Sequence, residues 1–183
     1  MNDKVIFIVG PSFGGKTYLM NHIVESIDDV RLVNFELFYD LKHSITKCYD
    51  LFIDHIRTAV LAGEKVVAEC TGHLLFDKPR IELIRSLAIV VAPSVTDHMR
   101  NYNKYMKSFG LRSTIKRSGG HGVGEMRNMF NTHLSHNRNK SIESLVAYNG
   151  TNETEVIQEI KYFFDGTHIP KSLNKQKPLF DSN

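Results

Sequence analysis

The chain has 183 residues, of which 23 are Lys or Arg and 20 are Asp or Glu, giving a formal net charge of +3. This length suits one α/β domain with a hydrophobic core and leaves little room for a second domain. Its apolar runs are too short to cross a membrane, the opening residues do not resemble a signal peptide, and two cysteines are too few for a disulfide framework. We therefore expect a soluble, cytoplasmic protein with reduced thiols.

The first predicted strand, at 5–9, leads into the sequence Gly-Pro-Ser-Phe-Gly-Gly-Lys-Thr at 10–17, which fits the phosphate-loop pattern G-x-x-x-x-G-K-[ST]. Glycines allow backbone N–H groups to face an anion, Lys16 can contact the outer phosphates, and the Thr17 hydroxyl can ligate Mg²⁺. A helix predicted at 17–27 would point its N-terminus at the same phosphates. The pattern predicts ATP or GTP binding, with nucleotide contacts from Gly10, Ser12, Gly14, Gly15, Lys16 and Thr17.

Short apolar runs alternate with helical patterns along the rest of the chain. They predict further strands at 31–35, 65–70, 87–92 and 144–148. Further helices are predicted at 49–62, 78–86, 94–109, 125–138 and 154–164. The strands lack polar alternation, as strands buried on both faces do, so the pattern predicts a doubly wound α/β fold with a parallel sheet. We expect one phosphate-loop domain at 1–165, with a basic helical lid at about 108–141, and a loosely held tail at 166–183.

Carboxylates follow the second and third predicted strands. Because ligands of a parallel sheet gather at the carboxyl ends of its strands, Glu36 and Glu69 are candidates for the site. Glu69 suits the binding of Mg²⁺, or else it caps Thr17 or a helix N-terminus. Glu36 suits a base that deprotonates an acceptor hydroxyl, with Asp40 as the alternative base.

The order of these features resembles the small P-loop kinases of the polynucleotide kinase and zeta-toxin branch. The Val-Ala-Glu-Cys-Thr-Gly sequence at 67–72 is similar to the zeta-toxin pattern, and Val-Asn-Phe-Glu at 33–36 resembles the polynucleotide kinase strand. The resemblance covers about 5–150, and it implies a three-layer P-loop fold with a five-stranded parallel sheet. The chain departs from the family in having Glu at position 36, where Asp is more frequent, and 118–140 matches neither relative.

The resemblance also implies roles for individual side chains. Glu36 would activate the acceptor hydroxyl, with ATP as the phosphate donor and Mg²⁺ as the cofactor. Arginines after the fourth strand would clamp the transferring phosphate. By position, those cations are Arg100 and some of Arg112, Lys116 and Arg117.

Positive charge is concentrated in one segment. Residues 98–141 contain nine Lys or Arg against one acid, a net charge of +8, which leaves −5 for the remainder. This segment favours a polyanionic acceptor, although a basic lid for ATP itself or a solvated face would give the same composition. On the helix predicted from Ser94, Arg100, Lys104 and Lys107 share one face, and an apolar stripe is expected to pack inward: Met99, Tyr102, Met106 and Phe109. Aromatic residues within the segment could stack on bases, or could belong to the core: Tyr102, Tyr105, Phe109 and Phe130. The predicted acceptor contacts are Thr71, His73, Lys104 and Lys107.

The sequence thus predicts an ATP-dependent kinase that acts on a hydroxyl of nucleic acid. The acceptor would be a 5′ end or a hydroxymethylated base, as for phage enzymes that phosphorylate hydroxymethyluracil in DNA, so bacterial or phage-infected cytoplasm is expected. Asn149 follows the last strand, where the chain of such kinases usually runs past the adenine of ATP, so it is the predicted adenine contact. An ordinary turn after the strand explains this residue equally well. A small-molecule kinase and a regulatory nucleotide-binding module are the alternatives, but the D-x-x-G and N-K-x-D motifs of a GTPase switch are absent from the sequence.

Overall fold

The computed structural model describes residues 4–39, 42–70, 85–137, 143–147 and 152–168. Its centre is one sheet with the strand order β2-β3-β1-β4-β5, in which every pair of neighbours is parallel. The strands are β1 (Lys4–Val9), β2 (Val30–Asn34), β3 (Lys65–Cys70), β4 (Arg85–Val91) and β5 (Glu143–Ala147). The predicted α/β fold with a parallel sheet is confirmed.

Helices cover both faces of this sheet. They are α1 (Lys16–Ser26), α2 (Ile45–Leu61), α3 (Val95–Ser118), α4 (Val123–Asn137) and α5 (Glu153–Asp165). Side chains of β1 alternate between the two faces: Phe7 joins the core beneath α2, whereas Ile6 and Ile8 join the core beneath α1 and α5. Because helices bury both faces of the sheet, β1 is apolar from Val5 to Val9 without polar alternation.

The second strand ends one residue earlier than predicted. Asn34 closes β2, and its side-chain oxygen accepts a hydrogen bond from the Glu36 N–H at 2.8 Å, which begins a 3₁₀ turn, Phe35–Phe38. Phe35 packs in the core instead of continuing the strand. The next helix, α2, begins at Ile45 rather than 49, because Ser44 caps its N-terminus.

The helix after β4 is longer than predicted and is broken. Ser94 caps its start and hydrogen-bonds Asp97, as the Ser-x-x-Asp spacing predicts. The helix does not stop at Phe109: it continues to Ser118 across Gly110, whose φ of 79° and ψ of 165° are not helical. We call Val95–Phe109 the near arm of α3, and the residues after Gly110 its far arm.

The helix predicted before β4 and the predicted tail can be compared with the structure only in part. The helix predicted at 78–86 is wrong at its last two residues, which belong to β4, and the rest of it lies outside the described residues. Of the predicted tail, 166–168 are described: Gly166 ends α5, and His168 is buried against Glu159. The domain boundaries stay predictions.

Across the described ranges, none of the helices has the length and apolar character needed to span a membrane.

Candidate functional site

The glycine-rich loop occupies the carboxyl end of the central strand. It leaves β1 after Val9 and enters α1 at Lys16, the strand–loop–helix context that its motif predicts. Gly15 has a φ of 98°, a conformation that other residues rarely adopt. A Cβ on Gly14 would lie 2.9 Å from the Pro11 carbonyl oxygen, so the tight turn also excludes a side chain there.

Lys16 is buried at the floor of this loop. Its Nζ donates hydrogen bonds to the Gly10 and Pro11 carbonyl oxygens, each at 3.1 Å, and lies 3.6 Å from Glu69 Oε1. Burial lowers the pKa of Lys16 below its ordinary value, and the Glu69 carboxylate opposes that shift. The two buried charges therefore stabilise each other.

Glu69 is held from its other side by the neighbouring strand. Asn34 and Glu69 are partners in the parallel register of β2 and β3, and Asn34 Nδ2 donates to Glu69 Oε2 at 3.4 Å. Asn34 also caps the turn that carries Glu36. The Asn34 amide thus links the Glu69 carboxylate to the backbone N–H of Glu36, a role that the sequence analysis did not assign.

The near arm of α3 holds the loop from above. His98 and Asn101, one turn apart, bond the carbonyl oxygens of Ser12 and Phe13: His98 Nε2 at 2.7 Å and Asn101 Nδ2 at 3.1 Å. These two contacts accompany the positive φ of Phe13, 62°, which is unusual for an aromatic residue. The sequence analysis missed both residues, although their i, i+3 spacing on a predicted helix was visible.

His98 is itself fully buried. Because a carbonyl can only accept, Nε2 carries the proton, and Nδ1 has no hydrogen-bond partner among the described residues. Burial lowers the pKa of His98, and the positive charges of Arg127 and Lys16 lower it further, against the opposing effect of the Ser12 carbonyl. The imidazole is therefore neutral near neutral pH.

The far arm of α3 reaches the same loop through Arg117. Its Nη2 lies 3.4 Å from Glu36 Oε1, and its guanidinium carbon lies 5.7 Å from the Phe13 ring centroid and 5.1 Å from that of Tyr105. The Arg117 carbonyl accepts a hydrogen bond from Ser12 Oγ at 3.4 Å. Arg117 thus connects the loop, the near arm and the candidate base.

These elements enclose a cleft of about 660 Å³ above the loop. The predicted site residues that line it are Gly14, Gly15, Lys16, Thr17, Glu69, Arg100, Lys104 and Arg117. Gly10 and Ser12 do not line the cleft, but they contact residues that do: the Gly10 carbonyl accepts a hydrogen bond from Lys16, and Ser12 Oγ donates to the Arg117 carbonyl. Glu36 contacts the lining through its ion pair with Arg117. Lys107 lines a neighbouring cleft instead.

Other predicted residues lie apart or cannot be located. Arg112 and Lys116 are exposed on the far arm and line neither cleft. Asp40, Thr71, His73 and Asn149 lie outside the described residues.

The apolar stripe predicted for the near arm is partly wrong. Met99 and Phe109 were expected to pack inward, but they are 43% and 62% exposed. Tyr102 does contact Phe13, at 5.3 Å between ring centroids. Phe130 is buried in the core beneath α2, so it cannot stack on a base. Arg100, Lys104 and Lys107 form the predicted exposed basic face, with Arg100 paired to Asp97.

The donor atoms in the cleft fit Mg²⁺ bound together with a nucleotide. Thr17 and Glu69 supply a hydroxyl and a carboxylate to the same lining. Groups of three or more His, Cys, Asp or Glu able to hold a metal are absent from the described ranges. Mg²⁺ usually takes one or two protein oxygens and completes its shell with phosphates and water, so the Thr17 hydroxyl and the Glu69 carboxylate are enough protein ligands for it.

Comparison with known proteins places the fold but not the family. The chain matches no family model and no curated protein. Among solved structures, it is similar to a candidate kinase from Chloroflexus aurantiacus, with a TM-score of 0.59 and 12% identity over 89% of this chain and 99% of the other. A sugar kinase from Janibacter gives a TM-score of 0.54 and 9% identity over 88% and 94%.

A third similar structure is the Pnkp1/Rnl/Hen1 RNA repair complex. It gives a TM-score of 0.50 and 10% identity over 96% of this chain and 81% of the other. At identities this low, the three likenesses show a shared kinase-like fold. They do not show a shared substrate.

Proposed function

We propose that the protein is an ATP-dependent phosphotransferase that acts on a hydroxyl group. The observation that carries this proposal is the buried Lys16–Glu69 pair, 3.6 Å apart, at the floor of a cleft walled by Arg100, Lys104 and Arg117. A buried ammonium beneath a glycine loop, with more cations above it, suits a ligand with several negative charges. The kinase-like fold of the similar structures also supports a phosphotransferase.

In this proposal the loop binds the triphosphate. Amide N–H groups of Gly15 and of the first turn of α1, together with the Lys16 ammonium, contact the β- and γ-phosphates. The Gly14 N–H instead closes the loop by donating to the Pro11 carbonyl oxygen. Thr17 and Glu69 would hold Mg²⁺, which would supply positive charge to neutralise the phosphates. Lys16 would exchange its bonds to the loop carbonyls for bonds to phosphate oxygens.

Glu36 acts as the base. Its side chain is 62% exposed, so an acceptor can reach it, and the Asn34 cap fixes its backbone. Its carboxylate accepts the hydroxyl proton while the acceptor oxygen forms a bond to the γ-phosphorus. The bond from that phosphorus to the β–γ bridging oxygen breaks, and ADP leaves with the electron pair. Asp40 remains the alternative base.

The cations of α3 stabilise the charge that spreads over the transferring group. Arg117 and Arg100 line the cleft from the two arms, so they converge on the region above the loop. Fixed positive charges in this position lower the barrier because their attraction for the transferring phosphoryl group grows as negative charge develops on it. Arg112 and Lys116 would reach the nucleotide only after the far arm moves, and Asn149 remains the proposed adenine contact.

The preferred acceptor is a hydroxyl on nucleic acid, either a 5′ end or a hydroxymethylated base. The net charge of +8 on 98–141 supports a polyanion, as does the likeness to an RNA repair complex. A hydroxymethylated base in a duplex would have to be flipped out to reach Glu36. The likeness to a sugar kinase supports a small-molecule acceptor as the second candidate.

A transfer assay with γ-labelled ATP and Mg²⁺ tests this function. The acceptors are 5′-hydroxyl oligonucleotides, hydroxymethyluracil-containing DNA, nucleosides, nucleotides and sugars. We expect label on an oligonucleotide, and Glu36→Gln should abolish transfer with ATP affinity nearly unchanged. Glu25→Gln, an exposed change on α1, is the control. Label appearing only as free phosphate would contradict a kinase, and label only on small molecules would contradict the nucleic-acid acceptor.

A further inference from the structure

Aromatic rings form a row that leads outward from the loop. Tyr105 lies 5.2 Å from Phe13 and 4.6 Å from Phe109, measured between ring centroids. The Tyr105 and Phe109 planes are inclined by 33°, so these rings lie partly face to face. We call Phe13, Tyr105 and Phe109 the aromatic row.

The outer end of this row is open to solvent. Phe109 is 62% exposed, at the last position before the break at Gly110, and Leu111 just beyond it is 60% exposed. Single exposed apolar residues are common in proteins. What distinguishes Phe109 is that its ring extends a row of contacting rings that begins at the glycine-rich loop, and that Phe109 itself is left mostly uncovered.

Exposed cations run alongside the same row. A second cleft, of about 440 Å³, is lined by Arg100, Asn103, Lys104, Lys107 and Ser108. Arg100, Lys104 and Ser108 also line the main cleft, together with Tyr105 and Phe109, so the two clefts adjoin each other. Arg100 and Lys107 are about 10 Å apart along the helix, at 1.5 Å per residue. That length can meet more than one phosphate of a single strand.

We infer that the aromatic row and the second cleft form a subsite for single-stranded nucleic acid, with a base stacked on Phe109 and backbone phosphates on Lys104 and Lys107. This inference rests on the proposed function, because it names how the acceptor strand approaches the site. A paired duplex would not fit, since its bases are already stacked on each other. Aromatic rings beside a basic groove are the usual means of binding single strands without reading their sequence.

Equilibrium binding in the absence of ATP tests the stacking. The probe is a short single-stranded oligonucleotide that contains 2-aminopurine, whose fluorescence is quenched by stacking. We expect wild type to bind and quench it, whereas Phe109→Leu, which keeps an apolar side chain, should lose about tenfold or more in affinity together with the quenching. Leu111→Ala removes a similarly exposed apolar residue, and should bind as wild type does.

Salt dependence tests the cations. For single strands, the slope of log K against log salt is about 0.7 per phosphate contact, so Lys104→Gln with Lys107→Gln should reduce its magnitude by about 1.4. Lys47→Gln, an exposed charge on α2, should leave the slope unchanged. An equal effect from Lys47→Gln would show that only overall charge matters, and would overturn the subsite.

Other outcomes separate this inference from the proposed function. Failure of wild type to bind the strand, or full affinity in Phe109→Leu, would overturn the subsite even if ATP-dependent transfer to small acceptors is found. Displacement of the quenched strand by ADP alone would assign the row to the nucleotide base, and would also overturn it. Strand binding with the expected variant effects, but without label transfer to any acceptor, would support the subsite and contradict the kinase.

Discussion

Arg117 and Glu36 form an ion pair, with 3.4 Å between Nη2 and Oε1, that joins the far arm of α3 to the turn after β2. Both side chains are partly exposed, so the pair itself adds little to the stability of the fold. Its importance is positional: the same guanidinium faces the rings of Phe13 and Tyr105, and thus lies between the loop and the candidate base.

Arg117→Ala should therefore impair catalysis far more than stability. We expect kcat for phosphate transfer to fall on the order of 10²-fold, because a charge aimed at the transferring group is lost. Arg117→Lys should recover only part of the rate, since an ammonium cannot reproduce the planar contacts with the rings. Steady-state kinetics measure the effect, with Arg57→Ala on α2 as the control. A wild-type rate in Arg117→Ala would remove this residue from the mechanism.

Lys16→Met should destabilise the protein, apart from any effect on nucleotide binding. The substitution leaves the Glu69 carboxylate buried without its counter-ion, and such a loss costs about 3–5 kcal/mol. Adding Glu69→Gln should restore part of the free energy of unfolding, because a neutral amide is easier to bury. Urea denaturation of both variants measures this, and equal stability of Lys16→Met and wild type would show that the pair is not coupled.

His98 should make stability depend on pH. Its folded-state pKa lies below 6.5, so as pH falls through 6.5 the unfolded chain binds a proton that the native chain does not. The free energy of unfolding should therefore decrease below that pH, by up to ~1.4 kcal/mol per pH unit. In His98→Gln, which can still donate to the Ser12 carbonyl, this component should vanish. Urea denaturation at about pH 7.5 and 5.5 checks it, and an identical pH dependence would be the contrary result.

Gly110→Ala tests the break in α3. A Cβ there would meet nothing within 4 Å, but a φ of 79° with a ψ of 165° is strained for any residue other than glycine. We expect a loss of about 1–3 kcal/mol from backbone strain alone. Gly124→Ala in α4 is the matched control: it also has open space but no positive φ, and should be neutral or stabilising. Equal thermal stability of the two variants would indicate that the break is not enforced by Gly110.

The sequence predicted best what short-range patterns determine. The glycine loop, the buried strand before it and the cap at Ser94 each depend on neighbouring residues, and each lies where its pattern indicates. The Glu69 carboxylate was predicted to face this site because strand ends of a parallel sheet converge, and its pairing with Lys16 agrees.

The missed features depend on contacts between distant segments. His98 and Asn101 matter because α3 crosses above the loop, which no local pattern encodes. Phe109 fitted an inward stripe at helical spacing, but it is 62% exposed at the last position before the break at Gly110, and its ring contacts Tyr105 on the same helix. Phe35 was predicted as the last residue of a strand, whereas in the structure it begins the 3₁₀ turn that Asn34 caps. Such outcomes depend on tertiary packing.

The most direct test of the account is a crystal structure with a non-hydrolysable ATP analogue and Mg²⁺. We expect the triphosphate in the cleft above the loop, with Lys16 Nζ within about 3 Å of a β- or γ-phosphate oxygen instead of the Gly10 and Pro11 carbonyls. Thr17 and Glu69 should face the metal ion. A nucleotide bound elsewhere, with Lys16 still bonded to those two carbonyls, would contradict the central claim.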